Sequence, residues 1–152
     1  TDERKKTYDF SDGYFDDGQI MVVPADSKFE KPEDLKGLSI AAKTSTQGAK
    51  YADSVAEQYG FKVVYYEDSP TMYTAVMNGS NAACFEDRSV VGWAISSENL
   101  ALKTVGEVIN PGSYGFAVKK GTNAELVEMF NAGLKNIKAN GEYEKILAKY
   151  GY

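Results

Sequence analysis

No histidine occurs anywhere in the 152 residues. That removes the usual general base, the Ser-His-Asp arrangement and the commonest metal ligand together. Cysteine is reduced to Cys84 alone, which excludes an internal disulfide and any zinc cluster built from several thiolates. The redox compartment stays open, because exported proteins can do without disulfides. Positive charge is in deficit, with 17 Lys and Arg against 22 Asp and Glu, a net charge of −5. A protein meant for a phosphate backbone normally carries the opposite sign on at least one face, so nucleic acid is not an expected partner. No apolar run in the sequence approaches the about 20 residues that cross a bilayer. What remains is 43% hydrophobic and 26% charged, the composition of an ordinary globular chain. It is long enough for one well-buried domain, or for one domain and part of another.

Strand-like and helix-like stretches alternate along it. "QIMVV" at 19–23 predicts a strand closed by Pro24, and "KPEDLKG" a single helical turn with Pro32 near its start. "LSIAA" at 38–42 predicts a second strand. A helix over 48–59 follows, with Tyr51, Ala52, Val55, Ala56 and Tyr59 on one stripe and Gly60 as its stop. "FKVVYY" at 61–66 is a third strand. The next helix has Ser69 as expected N-cap, Pro70 at its first position and Gly79 as terminator. "AACF" at 82–85 predicts a buried strand running into Asp87 and the helix "RSVVGWAISS". "LALKTV" and "GSYGFAV" are expected as two further strands. A long amphipathic helix with Leu126, Phe130, Leu134 and Ile137 on its apolar face precedes a shorter last one. This alternation predicts a mostly parallel, doubly wound α/β sheet covered on both faces. Ligands of such sheets sit beyond the carboxyl ends of the strands. That selects "AKTSTQGA" and "FEDRS".

In "KTSTQG", 43–48, a cation, three hydroxyls and a glycine precede a helix. Amide groups and the helix dipole suit that turn to an anion. A capped helix start, with Ser45 or Thr46 as N-cap, accounts for the same residues. The Gly-x4-Gly-Lys spacing of a P-loop is absent. Asp87 alone is most simply an N-cap, with a buried anchor for a ligand ammonium as a further reading. Glu86 and Asp87 as a catalytic carboxylate pair fit poorly, because adjacent strand residues point in different directions. Arg4 stands in a charge run that is ordinarily solvated, yet the aromatic stretch "TYDFSDGYF" follows it. A planar guanidinium there suits a carboxylate. Cys84 is expected as an inert buried thiol, and Trp93 and the helical tyrosines as core.

Together "TDERKKTYDFSDGYF" at 1–15, "DLKGLSIAAKTSTQG" at 34–48, "NGSNAACFEDRSVVGWAI" at 78–95 and the segment 114–151 carry a resemblance. The chain resembles the C-terminal two thirds or so of the type II solute-binding proteins of polar amino-acid ABC transporters, bacterial family 3, and most of all the glutamine-binding branch. The resemblance implies an α/β, periplasmic-binding-protein-like II fold in which two lobes close on an amino acid. One doubly wound lobe is complete and the second is truncated. Residues 1–23 are then a remnant of lobe 1 with the first hinge strand, 24–113 the complete lobe 2, and 114–152 the second hinge strand with the C-terminal helices of lobe 1. It also implies that Arg4 grips the ligand α-carboxylate, with Thr46 and the amides around Gln47 as a second grip. Asp87 binds the α-ammonium, and Lys43 and Glu86 lie near the ligand side chain. No metal and no cofactor are implied.

The implied function is capture of a polar L-amino acid, glutamine first, outside the cytoplasmic membrane, and delivery to an ABC permease subunit. No bond is broken. Two alternatives use the same fold: an enzyme like the cyclohexadienyl dehydratases, and the ligand-binding module of a sensor or receptor. Gln47 stands where a small residue is common, and Glu86 where a glutamine-specific relative carries histidine. The family chain has a first βαβ portion ahead of this point, after a signal peptide that is removed. The 152 residues are therefore expected to behave as a fragment that binds weakly or not at all, and that dimerises or swaps segments through exposed apolar faces.

Overall fold

The computed structural model describes residues 1–150 and Tyr152. Its strands are β1 (Tyr8–Phe10), β2 (Phe15–Pro24), β3 (Ser39–Lys43), β4 (Lys62–Tyr66), β5 (Cys84–Asp87), β6 (Leu102–Tyr114) and β7 (Ala117–Lys119). Its α-helices are α1 (Gln47–Tyr59), α2 (Ser69–Met77), α3 (Arg88–Glu98), α4 (Ala124–Ala139) and α5 (Glu142–Lys149). Short 3-10 turns occupy Arg4–Lys6 and Pro32–Leu35. The chain divides into two units, Thr1–Asp16 with Gly112–Tyr152, and Asp17–Pro111. Both divisions fall inside strands, one in β2 and one in β6.

The unit Asp17–Pro111 is built on a five-stranded sheet in the order β4-β3-β5-β2-β6. β3 runs parallel to both of its neighbours, pairing Lys43 with Tyr66 and Ala41 with Cys84. β2 runs antiparallel to β5, with Gln19 opposite Asp87, so the sheet is mixed where a mostly parallel one was expected. Alternation along β2 explains the two cores. Ile20 and Val22 join Met72, Tyr73, Val76, Val91 and Ala94 of α2 and α3. Met21 and Val23 join Leu35, Ala52, Phe61 and Phe85, on the side that α1 covers. The sheet is thus packed on both faces.

At α1 and α2 the helix caps follow the local sequence with one correction. Thr46 caps α1, its Oγ1 accepting from the Ala49 N–H at 3.1 Å, and Gly60 ends that helix at φ +71°. For α2 the cap is Asp68, which accepts from the Thr71 N–H at 2.8 Å, and Ser69 is the first helical residue. Either side chain suits the position, and Asp68 precedes the proline by two residues, which leaves Pro70 in the first turn where its missing N–H costs nothing.

Four strands also differ from expectation. β2 begins at Phe15, ahead of the apolar run, and β5 extends to Asp87 because β2 pairs with it up to that residue. The two strands expected at "LALKTV" and "GSYGFAV" are replaced by one long β6 and a short β7. β6 passes through Gly106, Asn110 and Pro111, and as an outermost strand it tolerates their positive φ values and missing donor. Trp93 is 52% exposed and does not belong to the core.

The other unit pairs β1 with β7 antiparallel, Asp9 opposite Val118. α4 packs on it through Phe130, stacked on Phe116 with ring centroids 5.1 Å apart. The Tyr143 hydroxyl of α5 donates to the Tyr14 carbonyl at 2.5 Å. Leu134 of the expected apolar face is buried, whereas Leu126 and Met129 are exposed. Among the described residues no helix is long and apolar enough to cross a membrane.

Three exposed carboxyls sit below their ordinary values. The Gly121 N–H and then Lys120 lower Asp9, the Glu30 N–H lowers Asp34, and the Thr71 N–H lowers Asp68. A lowered folded value means that the unfolded chain binds protons more readily, so the stabilisation is present above the ordinary value and is lost as pH falls through the folded one. With no histidine to titrate, the unfolding temperature is expected to hold from about pH 7 to about pH 5 and to drop below about pH 4. Melts by circular dichroism across that range check it.

Candidate functional site

Because β3 and β5 are parallel, their carboxyl ends share one edge of the sheet. Lys43 closes β3, and Glu86 and Asp87 close β5. α1 starts against that same edge. A Cβ on Gly48 would meet the Phe85 carbonyl oxygen at 2.2 Å, so only glycine lets the helix approach this closely. α2 brings Ser69 and Tyr73 to the same place.

Glu86 is only 5% exposed and its carboxylate is fully engaged. Oε2 accepts from Lys43 Nζ at 3.3 Å, Ser69 Oγ at 2.9 Å and the Tyr73 hydroxyl at 3.4 Å. Oε1 accepts from the Asp87 N–H at 3.1 Å. Lys43 Nζ also donates to Ser69 Oγ at 2.6 Å. A buried charge is tolerated only when it is paired and hydrogen-bonded in this way. Burial, and then the charge of Glu86, pushes the Tyr73 phenol far up, so it remains a proton donor at every physiological pH. Burial also raises the Cys84 thiol, to an inert state beneath the site.

Asp87 occupies the N-cap position of α3 without making the side-chain cap. Its Oδ1 accepts instead from Gln19 Nε2 at 2.9 Å. Asp17 of β2 takes over the helix start: Oδ2 accepts from the Ser89 N–H at 3.0 Å and from the Ser89 hydroxyl. Arg88 Nε lies 3.6 Å from Asp17 Oδ1, an ion-pair distance too long for a hydrogen bond.

The "KTSTQG" turn is tightly tied. Thr46 Oγ1 donates to the Lys43 carbonyl at 2.7 Å while it accepts from Ala49, and Ser45 adopts φ +61°. The Thr46 hydroxyl is therefore spent within the turn. Helix geometry leaves the first-turn amides of Gln47 and Gly48 without intrahelical acceptors.

Of the six residues singled out from the sequence, Lys43, Thr46, Gln47, Glu86 and Asp87 gather at this edge of the unit Asp17–Pro111. Arg4 lies exposed in the 3-10 turn of the other unit. Sequence reasoning missed Asp17, Gln19, Ser69 and Tyr73. The signal for Gln19 was a polar residue at the head of an otherwise apolar run. Ser69 was noticed, but only as a cap.

The pattern of the family described as "Bacterial extracellular solute-binding proteins, family 3" matches residues 1–152. The ABC transporter glutamine-binding protein GlnH of Bacillus subtilis is 35% identical over 152 residues, 99% of this chain and 54% of its own length. The second substrate-binding domain of a putative amino acid ABC transporter of Streptococcus pneumoniae is 41% identical, with a TM-score of 0.74 over 99% of this chain and 68% of that one. An ancestral amino acid-binding protein, described as a precursor of cyclohexadienyl dehydratase, is 30% identical with a TM-score of 0.87, over 100% of this chain and 65% of that one. The chain spans about half the length of the curated relative GlnH. The fold is the mixed α/β, periplasmic-binding-protein-like one of these structures.

Proposed function

We propose, from the premise that this chain belongs to the family 3 bacterial extracellular solute-binding proteins, that it binds a polar L-amino acid, L-glutamine first, for delivery to an ABC permease outside the cytoplasmic membrane. A zwitterion asks for a fixed anion and a fixed cation, each desolvated and paired. Asp87 is assigned to the α-ammonium. Arg4 and the amides of Gln47 and Gly48 are assigned to the α-carboxylate. Thr46 supports that grip by fixing the turn rather than through its hydroxyl.

The observation that carries the glutamine preference is the unequal exposure of the ion pair. The Lys43 side chain is 27% exposed and that of Glu86 only 6%. The more exposed partner is thus the lysine. Its ammonium gives two of its three N–H groups to Ser69 and Glu86 and keeps one as a donor for a side-chain amide or carboxylate, while its charge repels a cationic side chain. The GlnH similarity agrees with it. An enzyme of the dehydratase type would need an acid/base group held toward substrate. Glu86, the buried candidate, already has its oxygens taken by four donors.

The test is a thermal-shift screen of the twenty amino acids on the protein at its gene-encoded length, followed by calorimetry. L-glutamine is expected to bind at least about tenfold more tightly than L-arginine, the cost of setting two like charges together being larger than that factor requires. Arginine or histidine as the tightest ligand overturns the glutamine assignment. No shift with any amino acid overturns the class, and steady conversion of a bound ligand moves the chain to the enzymes.

A further inference from the structure

We propose that Gln19 is a positioning residue for the Asp87 carboxylate, while Asp17 of the same strand takes the Ser89 amide at the start of α3, where Asp87 makes no cap. The inference rests on the assignment of Asp87 to the ligand ammonium.

An aspartate at an N-cap ordinarily folds back to accept an amide of the first helical turn. Asp87 has the extended backbone of that position, φ −60° and ψ 129°, yet makes no such bond. Of the two amides within reach of that position, Ser89 and Val90, the Ser89 N–H goes to Asp17 Oδ2. Asp17 comes from β2, two residues before Gln19, so both side chains leave the strand on the same side. Gln19 faces Asp87 in the β2–β5 register and donates to its Oδ1 at 2.9 Å. One strand therefore supplies a substitute cap and a hydrogen-bond donor that holds Asp87.

The chemistry of position 19 is specific. Gln19 is 5% exposed, and its Oε1 is buried with no hydrogen-bond partner. Buried amide oxygens are nearly always satisfied. Turning the amide over would set Oε1 against the carboxylate and lose the only bond the group makes. The observed orientation keeps the donor on Asp87 and leaves the acceptor idle. A neutral donor also orients the carboxylate without cancelling its charge, which a lysine or arginine there would do. A group meant only to fill the sheet would need neither property. The charged groups around this pair are Asp17 on β2, Glu86 on β5 and Arg88 on α3.

The experiment measures L-glutamine affinity by calorimetry for the protein at its gene-encoded length and for Asp87→Asn, Gln19→Met and Gln19→Glu, with unfolding temperature recorded for each. Gln19→Met keeps the length and burial of the side chain and removes the donor. It is expected to weaken binding about 10- to 100-fold, the scale of a hydrogen bond to a charged group. Gln19→Glu separates positioning from mere packing. Near pH 8 it sets two carboxylates together and binding is expected to fall as far or further. Near pH 5 the pair shares a proton, the introduced carboxyl donates to Asp87 as the amide did, and affinity is expected to recover at least about fivefold relative to the parent. Loss of binding in Asp87→Asn with unchanged affinity in Gln19→Met, or a Gln19→Glu profile as flat as the parent's, overturns the positioning role and leaves the site standing. A parent protein that binds no amino acid, or an Asp87→Asn that binds as the parent does, removes the site and this inference with it.

Discussion

In the protein at its gene-encoded length, Asp87→Ala is expected to weaken L-glutamine binding by about 2–5 kcal/mol, the scale for removing one partner of a buried, hydrogen-bonded charge pair. The direction follows from what the side chain does in the fold. It does not cap α3, since Asp17 does, so its removal leaves the helix start intact. The loss should therefore fall mainly on binding, with a smaller stability cost of about 1–3 kcal/mol that comes from the buried Gln19 amide left without its acceptor and not from the helix start. Arg4→Ala is expected to act on the same scale through the carboxylate end of the ligand. Calorimetry with both variants, alongside urea unfolding of Asp87→Ala, separates the cases. Unchanged affinity in both removes the proposed site, and a loss of stability without a loss of affinity returns Asp87 to a capping role.

Much of this site was legible because chain order dictates it. In a sheet with parallel neighbours, whatever follows a strand lands at one edge, so "AKTSTQGA" and "FEDRS" were bound to meet if their strands were adjacent. Lys43 and Glu86 at 3.3 Å are that expectation in atoms. What stayed hidden came from the antiparallel strand. β2 enters the sheet against the direction of β5, which places Asp17 and Gln19 beside residues about seventy positions later in the chain. No local period announces such a pairing. The N-cap reading of Asp87 fails for the same reason: the residue holds the position and the type of a cap, and it is the neighbouring strand that takes the Ser89 amide. β6 runs unbroken through Gly106 and Pro111, between the two strands expected there, because the cost of such residues depends on whether a strand is central or outermost. Trp93 shows the limit of composition, being large and apolar yet half in solvent.

Gly48→Ala is expected to lower stability by about 3 kcal/mol, although alanine is the better helix former by about 1 kcal/mol. Gly48 is the second residue of α1 and is buried against β5. An added methyl would stand 2.2 Å from the Phe85 carbonyl oxygen and 2.9 Å from its carbon. Both are backbone atoms of a strand paired on both sides, so neither can swing away as a side-chain tip would. The helix must retreat instead, and with it the amides of Gln47 and Gly48 from the strand end that carries Glu86 and Asp87. Affinity for the amino acid is then expected to fall together with stability. Gly92 supplies the contrast inside the same unit. It lies in α3 with nothing within 4 Å of the place its Cβ would take, so Gly92→Ala is expected to gain up to about 1 kcal/mol from helix propensity. Urea unfolding of the two variants decides it: if Gly48→Ala is as stable as Gly92→Ala, the close approach of α1 to β5 does not set the geometry of the site.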